Sequence, residues 1–111
     1  MGNKLAKIAA LGEKGKQSKL LGYCTNKDAE VRAAAAAALG NTKGDDGYNA
    51  LINLLRDPDD IVRVASAKAL GVMGSKNAME HLRYMMNHEG SSEAMKEACK
   101  ASMAALSSKK D

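Results

Sequence analysis

The sequence predicts an all-α chain, a solenoid of repeated helix pairs, and three observations carry that prediction. A stretch occurs twice, DAEVRAAAAAALG from Asp28 to Gly40 and DDIVRVASAKALG from Asp59 to Gly71, at a constant offset of 31 residues. Within it Val31, Ala34, Ala35, Ala38 and Leu39 fall at i, i+3, i+4, i+7 and i+8, the spacing of an amphipathic helix, and the copy from Val62 to Leu70 repeats it. A second apolar stripe follows, Tyr48, Leu51, Ile52, Leu54 and Leu55. The same offset carries it forward onto Met79, Leu82, Arg83, Met85 and Met86, and backward onto Gln17, Leu20, Leu21, Tyr23 and Cys24. A fixed period in this range marks stacked repeats, in which each unit buries its apolar flank only against its neighbours.

Asn3 to Leu11 reads as a short first helix, with Ile8 two periods before Leu70 and Gly12 two periods before Gly74. Its lysines, Lys4 and Lys7, suit the wet outer flank of a terminal cap. The turn GEKGK, Gly12 to Lys16, lacks the length, the following Ser or Thr and the preceding strand of a phosphate loop. Gln17 to Cys24 forms the second helix, interrupted by Gly22, and Asn26 is expected to cap the third. That third helix is mostly alanine, which favours helix but covers little area, so it depends on close approach by a neighbour. Gly40 and Gly71 follow the last apolar residue of each copy, where a glycine at positive φ commonly ends a helix.

The linker NTKGDDG is polar and glycine-rich and does not meet the ligand pattern of a calcium loop, since Asn53 stands where the closing glutamate belongs. Tyr48 to Arg56 is the fourth helix. For the fifth, Pro58 to Val72, Asp57 is the expected N-cap, Pro58 suits the first helical position, and Asp59 and Asp60 favour the positive end of the helix dipole. Asn77 to Asn87 is the sixth. Register then breaks: Met95 and Lys96, not Glu93 and Ala94, match Val62 and Arg63, so two residues are inserted in NHEGSSE. Ser91 or Ser92 is expected to cap a last helix ending near Leu106, giving one domain over 1–106 and a disordered tail over 107–111.

The pattern LLRDPDDIVRVASAKALGVMG, Leu54 to Gly74, with LINLL from Leu51 to Leu55 and its weaker copies, resembles the HEAT repeat family, in particular the short bacterial type also seen in phycobilin lyase subunits. The resemblance spans essentially the whole chain and implies a right-handed α-solenoid of about three and a half helix-pair repeats. It also implies a ladder of hydrogen bonds between repeats, and Asp28 with Arg32 and Asp59 with Arg63 match its aspartate and arginine. In such arrays the second helices line the concave face, which here points to Asn49, Asn53, Arg56, Glu80, Arg83, Tyr84 and Asn87 as a partner-binding strip. Tyr and Arg in that strip are the residue types that dominate interface energetics.

The chain carries a net charge of +4, with +5 over residues 1–27, −2 over 28–74 and +1 over 75–111. Phe and Trp are absent, aromatics make up 3% and Met numbers seven, so the core is soft and offers few rigid anchors. Cys24 and Cys99 show no ligand spacing and read as reduced core cysteines of a cytoplasmic protein. The opening MGNKLAKIAALG lacks a cleavage site, Ala6 stands where N-myristoylation wants Ser or Thr, and no run approaches the roughly 18 apolar residues of a membrane span.

Catalytic patterns are weak. His88 with Glu89 is a single pair in an inserted loop, whereas the HEAT enzyme deoxyhypusine hydroxylase holds di-iron through repeated His-Glu pairs. His81 has no Ser, Cys or carboxylate at a spacing that would orient it. HEAT-like alkylpurine DNA glycosylases rely on aromatic residues and a basic groove, and this chain has only Tyr23, Tyr48 and Tyr84. The reading is therefore a non-catalytic scaffold that binds a peptide or protein segment, without metal or cofactor. The alternatives are nucleic-acid binding through Lys4, Lys7, Lys14, Lys16 and Lys19, an accessory subunit of a lyase-type enzyme, and weak self-association through apolar end faces.

Overall fold

A computed structural model describes residues 2–108. Seven α-helices are found among them, and no strand: α1 (Gly2–Glu13), α2 (Gln17–Leu21), α3 (Ala29–Leu39), α4 (Asp45–Leu54), α5 (Asp60–Met73), α6 (Met79–Asn87) and α7 (Glu93–Ser107). Short 3₁₀ turns extend α2 through Gly22–Thr25 and lead into α6 through Lys76–Ala78. The chain is an all-α solenoid. Ser107 closes α7, and the rest of the expected tail, from residue 109, lies outside the described residues.

Two layers make the solenoid. The alanine-rich helices α1, α3, α5 and α7 lie side by side in close contact, while α2 and α4 touch far less and α6 leans on α7 rather than on α4. Helices sheathed in alanine approach more closely than helices sheathed in leucine and methionine, so the first layer is the shorter arc and forms the inner face. Between the layers lies a core of Ile8, Leu20, Val31, Leu39, Leu51, Val62, Leu70, Leu82, Met95 and Leu106, all buried. Both predicted stripes thus point inward. Leu51 and Leu82, the anchors of the second-helix pattern, are fully buried.

Three glycines set the spacing of the inner layer. A Cβ on Gly12 would lie 2.8 Å from the Ala38 Cβ, one on Gly40 3.1 Å from the Ala69 backbone, and one on Gly71 2.5 Å from the Ser102 hydroxyl. Each first helix therefore meets the next through a glycine facing a small residue. Gly40 ends α3 as predicted, but with a helical φ of −58° instead of a positive one, and Gly71 does not end its helix but lies inside α5. Val72 and Met73 prolong α5 by most of a turn, and the left-handed cap falls on Gly74, at φ 79°. Gly12 is likewise the counterpart of Gly40 and Gly71 in its contact, not of Gly74.

The caps move as well. Asp28, not Asn26, is the N-cap of α3 and accepts from the Glu30 N–H at 2.9 Å. Asp59, not Asp57, is the N-cap position of α5, so Pro58 precedes the helix instead of opening it. Asp45 and Asp46 of the supposed linker form the first turn of α4. Ser92 caps α7, accepting from the Met95 N–H at 3.0 Å, as the spacing predicts. Met95 is fully buried at the site that Val62 holds in α5, which fits the two-residue insertion.

Candidate functional site

Asn26, Asp57 and His88 stand one period apart at the turns that open α3, α5 and α7. Each side chain accepts from the backbone N–H two residues on: Asn26 Oδ1 from Asp28 at 2.9 Å, Asp57 Oδ2 from Asp59 at 2.9 Å, and His88 Nδ1 from Gly90 at 3.0 Å. These are side-chain-closed turns, which Asn and Asp favour. The turn keeps its shape along the stack while its side chain changes from amide to carboxylate to imidazole.

The arginines follow the turns. Arg32 reaches back to the Asn26 carbonyl with Nη1 at 2.8 Å and forward to the next repeat, where Nε and Nη2 meet the two Asp57 carboxylate oxygens at 2.9 and 3.0 Å. Nη2 also donates to Asp59 at 2.7 Å. Such a two-pronged arrangement is the strong form of a charge-assisted bond. Asp57 is buried; burial by itself would raise its pKa, but the bonds from Arg32 and the Asp59 N–H, with the charges of Arg32 and Arg63, hold it below the ordinary aspartate value. Hydrogen bonding to Asp57 in turn raises the Arg32 pKa.

Asp28 caps its helix and makes no ion pair with Arg32, whereas Asp59 pairs with Arg32 of the preceding repeat and not with Arg63. Asp57, read from sequence as a cap, is the central acceptor. Arg63 repeats the backward contact, donating from Nη1 to the Asp57 carbonyl at 2.6 Å, and pairs with Asp60 at 3.0 Å.

The residues of the expected strip, Asn49, Asn53, Arg56, Glu80, Arg83, Tyr84 and Asn87, are all exposed. They belong to α4, the turn after it and α6, whose helices approach each other less closely than α3 and α5 do. Arg83 and Glu80 pair with each other within α6. Arg56 and Tyr84 do come together. With Arg63, Met85, His88 and Ser91 they line a cleft of about 470 Å³ between the α4–α5 and α6–α7 turns.

On the inner face a second hollow of about 470 Å³ is lined by Ala37 of α3, by Asp60, Ile61, Val64, Lys68 and Val72 of α5, and by Ala94 of α7. A smaller hollow of about 290 Å³ between α1 and α3, lined by Leu5, Ala9, Ala34 and Ala37 with Glu13 and Asn41 at its polar end, adjoins it at Ala37. Four large hydrophobic side chains are exposed among the described residues, and three of them, Leu5, Ile61 and Val72, lie here. Sequence reading missed this face because its lining residues belong to the same alanine-rich helices as the core. Ile61 and Val72 at 52% and 66% exposure are apolar residues just off the buried stripe, a signal that helical spacing does contain.

His81 and Glu89 are exposed, and no group of three or more His, Cys, Asp or Glu converges among the described residues. Burial pushes the thiols of Cys24 and Cys99 up to about 11. The lysines Lys4, Lys7, Lys14, Lys16 and Lys19 are exposed on α1, α2 and the turn between them. No helix among the described residues is long and apolar enough to cross a membrane.

A family model described as HEAT repeats matches residues 4–63 and again 48–110. No curated protein matches the chain.

Proposed function

The chain belongs to the HEAT repeat family, and on that premise we propose that it is a non-catalytic protein-interaction scaffold whose inner face holds a segment of a partner protein. HEAT repeats are commonly protein-interaction scaffolds and generally without catalysis. The observation that carries the reading is the pair of largely apolar hollows that meet at Ala37, one across α3, α5 and α7 and one between α1 and α3, with Leu5, Ile61 and Val72 exposed on them. Their alanine floor is rigid, because the glycine contacts beneath fix the helix spacing. Ile61 and Val72 stand as walls, and Lys68 and Asp60 offer one charge of each sign to orient a segment with apolar side chains. Self-association through the ends of the stack gains less support, since the exposed face of α7 presents Glu97, Lys100, Ala101 and Ala104 and no large apolar group.

A photo-crosslinking residue at Val72 should capture a protein from native extract, and the same residue at Asn49 on the outer layer should not. Ile61→Asp in the Val72-labelled protein should remove the adduct with helical content unchanged. Adducts at Asn49 alone, or adducts indifferent to Ile61→Asp, would refute the inner-face reading.

A further inference from the structure

The bond ladder between repeats is closed by carboxylates of the following repeat at one step, and at the next only by the Ser92 hydroxyl on Asp60. Arg32 is met by Asp57 and Asp59 of the following repeat. By the shared closed turn His88 stands where Asp57 does, and after the two-residue insertion Ser92, the N-cap of α7, stands where Asp59 does; neither carries a negative charge. Both backward contacts and all three closed turns are retained, so the geometry of the acceptor position persists without its carboxylate. Arg63 Nε, the counterpart of the atom that Arg32 gives to Asp57, has no hydrogen-bond partner among the described residues. Arg56, across the cleft, has no ion pair there either.

We propose that this cleft binds an acidic peptide segment, with an Asp or Glu side chain taking against Arg63 the place that Asp57 takes against Arg32. The cleft lining carries two guanidinium groups and no carboxylate. With His88 Nδ1 accepting from Gly90, the other ring nitrogen, Nε2, is left as a donor. Tyr84 and Met85 supply apolar surface for the methylenes of the bound side chain. A single carboxylate fits better than a phosphate, because the Asp60 carboxylate stands on Arg63 Nη2, held also by the Ser92 hydroxyl at 2.8 Å, and would repel a second negative charge. This site is separate from the inner face and does not depend on it.

The decisive variant is His88→Asp. Aspartate closes the same turn at Asp57, so the change should leave the backbone intact, complete the ladder within the chain and occupy the cleft from inside. The probe is a fluorescent decapeptide of alternating Glu and Ala, acetylated and amidated so that only side-chain carboxylates are present, read by anisotropy on the full chain. Binding should fall by about tenfold or more with His88→Asp while the melting temperature rises, and by a similar factor with Arg56→Gln, as expected on losing a charge-assisted contact. A peptide with phosphoserine for Glu should bind more weakly. Equal binding by wild type and His88→Asp, preference for the phosphopeptide, or loss of binding with Ile61→Asp but not with Arg56→Gln would each overturn the proposal.

Discussion

Asp57 shows how one side chain can hold two repeats together and how its own sequence context disguises it. An aspartate before proline and ahead of an apolar run reads as a helix cap, and nothing local reveals a partner 25 residues upstream in Arg32. Its chemistry makes a pH prediction. The native pKa is lowered, so the unfolded chain binds the proton more tightly; the stabilisation is complete above the ordinary aspartate value near pH ~4 and is lost as pH falls below it. Asp57→Asn should therefore lower stability at neutral pH and flatten the acid limb of a denaturation-against-pH curve below about pH 4. Asp59→Asn, at an exposed carboxylate that touches Arg32 through one oxygen, should have the smaller effect in the same measurement.

The helices themselves make opposite predictions for two glycines. At Gly40 a methyl group would press on the Ala69 backbone, which has no rotamer to change; Gly40→Ala should cost about 1–3 kcal/mol in chemical denaturation. At Gly22 nothing lies within 4 Å and φ is −63°, so Gly22→Ala should stabilise by about 0.4–1 kcal/mol through the unfolded chain. Ser92→Ala, which removes the cap of α7, should cost about 1 kcal/mol by the same assay. Element order, period and core were legible in the sequence because burial of Leu20, Leu51 and Leu82 follows directly from helical spacing. The inner and outer layers were not, because spacing within a helix says nothing about distance between helices. Side-chain size does: the alanines of α3 and α5 foretell the closer approach that leucine and methionine deny to α4 and α6.

Across the whole stack, each repeat touches only its neighbours, so stability is close to a sum of nearest-neighbour terms. The middle helices α3 and α5 have partners on both sides and α1 has one. Hydrogen exchange should accordingly be slowest in α5 and faster in α1 and α2, with a graded rather than all-or-none profile. Leu51→Ala or Leu82→Ala in the shared core should cost about 2–5 kcal/mol and unfold a stack this short; calorimetry would show a lowered transition.

The glycine and alanine contacts of the inner layer have a mechanical consequence. Small residues along one edge and large ones along the other make every repeat a wedge, and the angle of the wedge is the curvature of the array. Bending is thereby written into residue volume: enlarging Ala69 or Ser102 on the inner edge, or trimming Leu54 or Met85 on the outer one, would straighten the stack, each altering how well a rigid ligand beds down without touching the ligand at all.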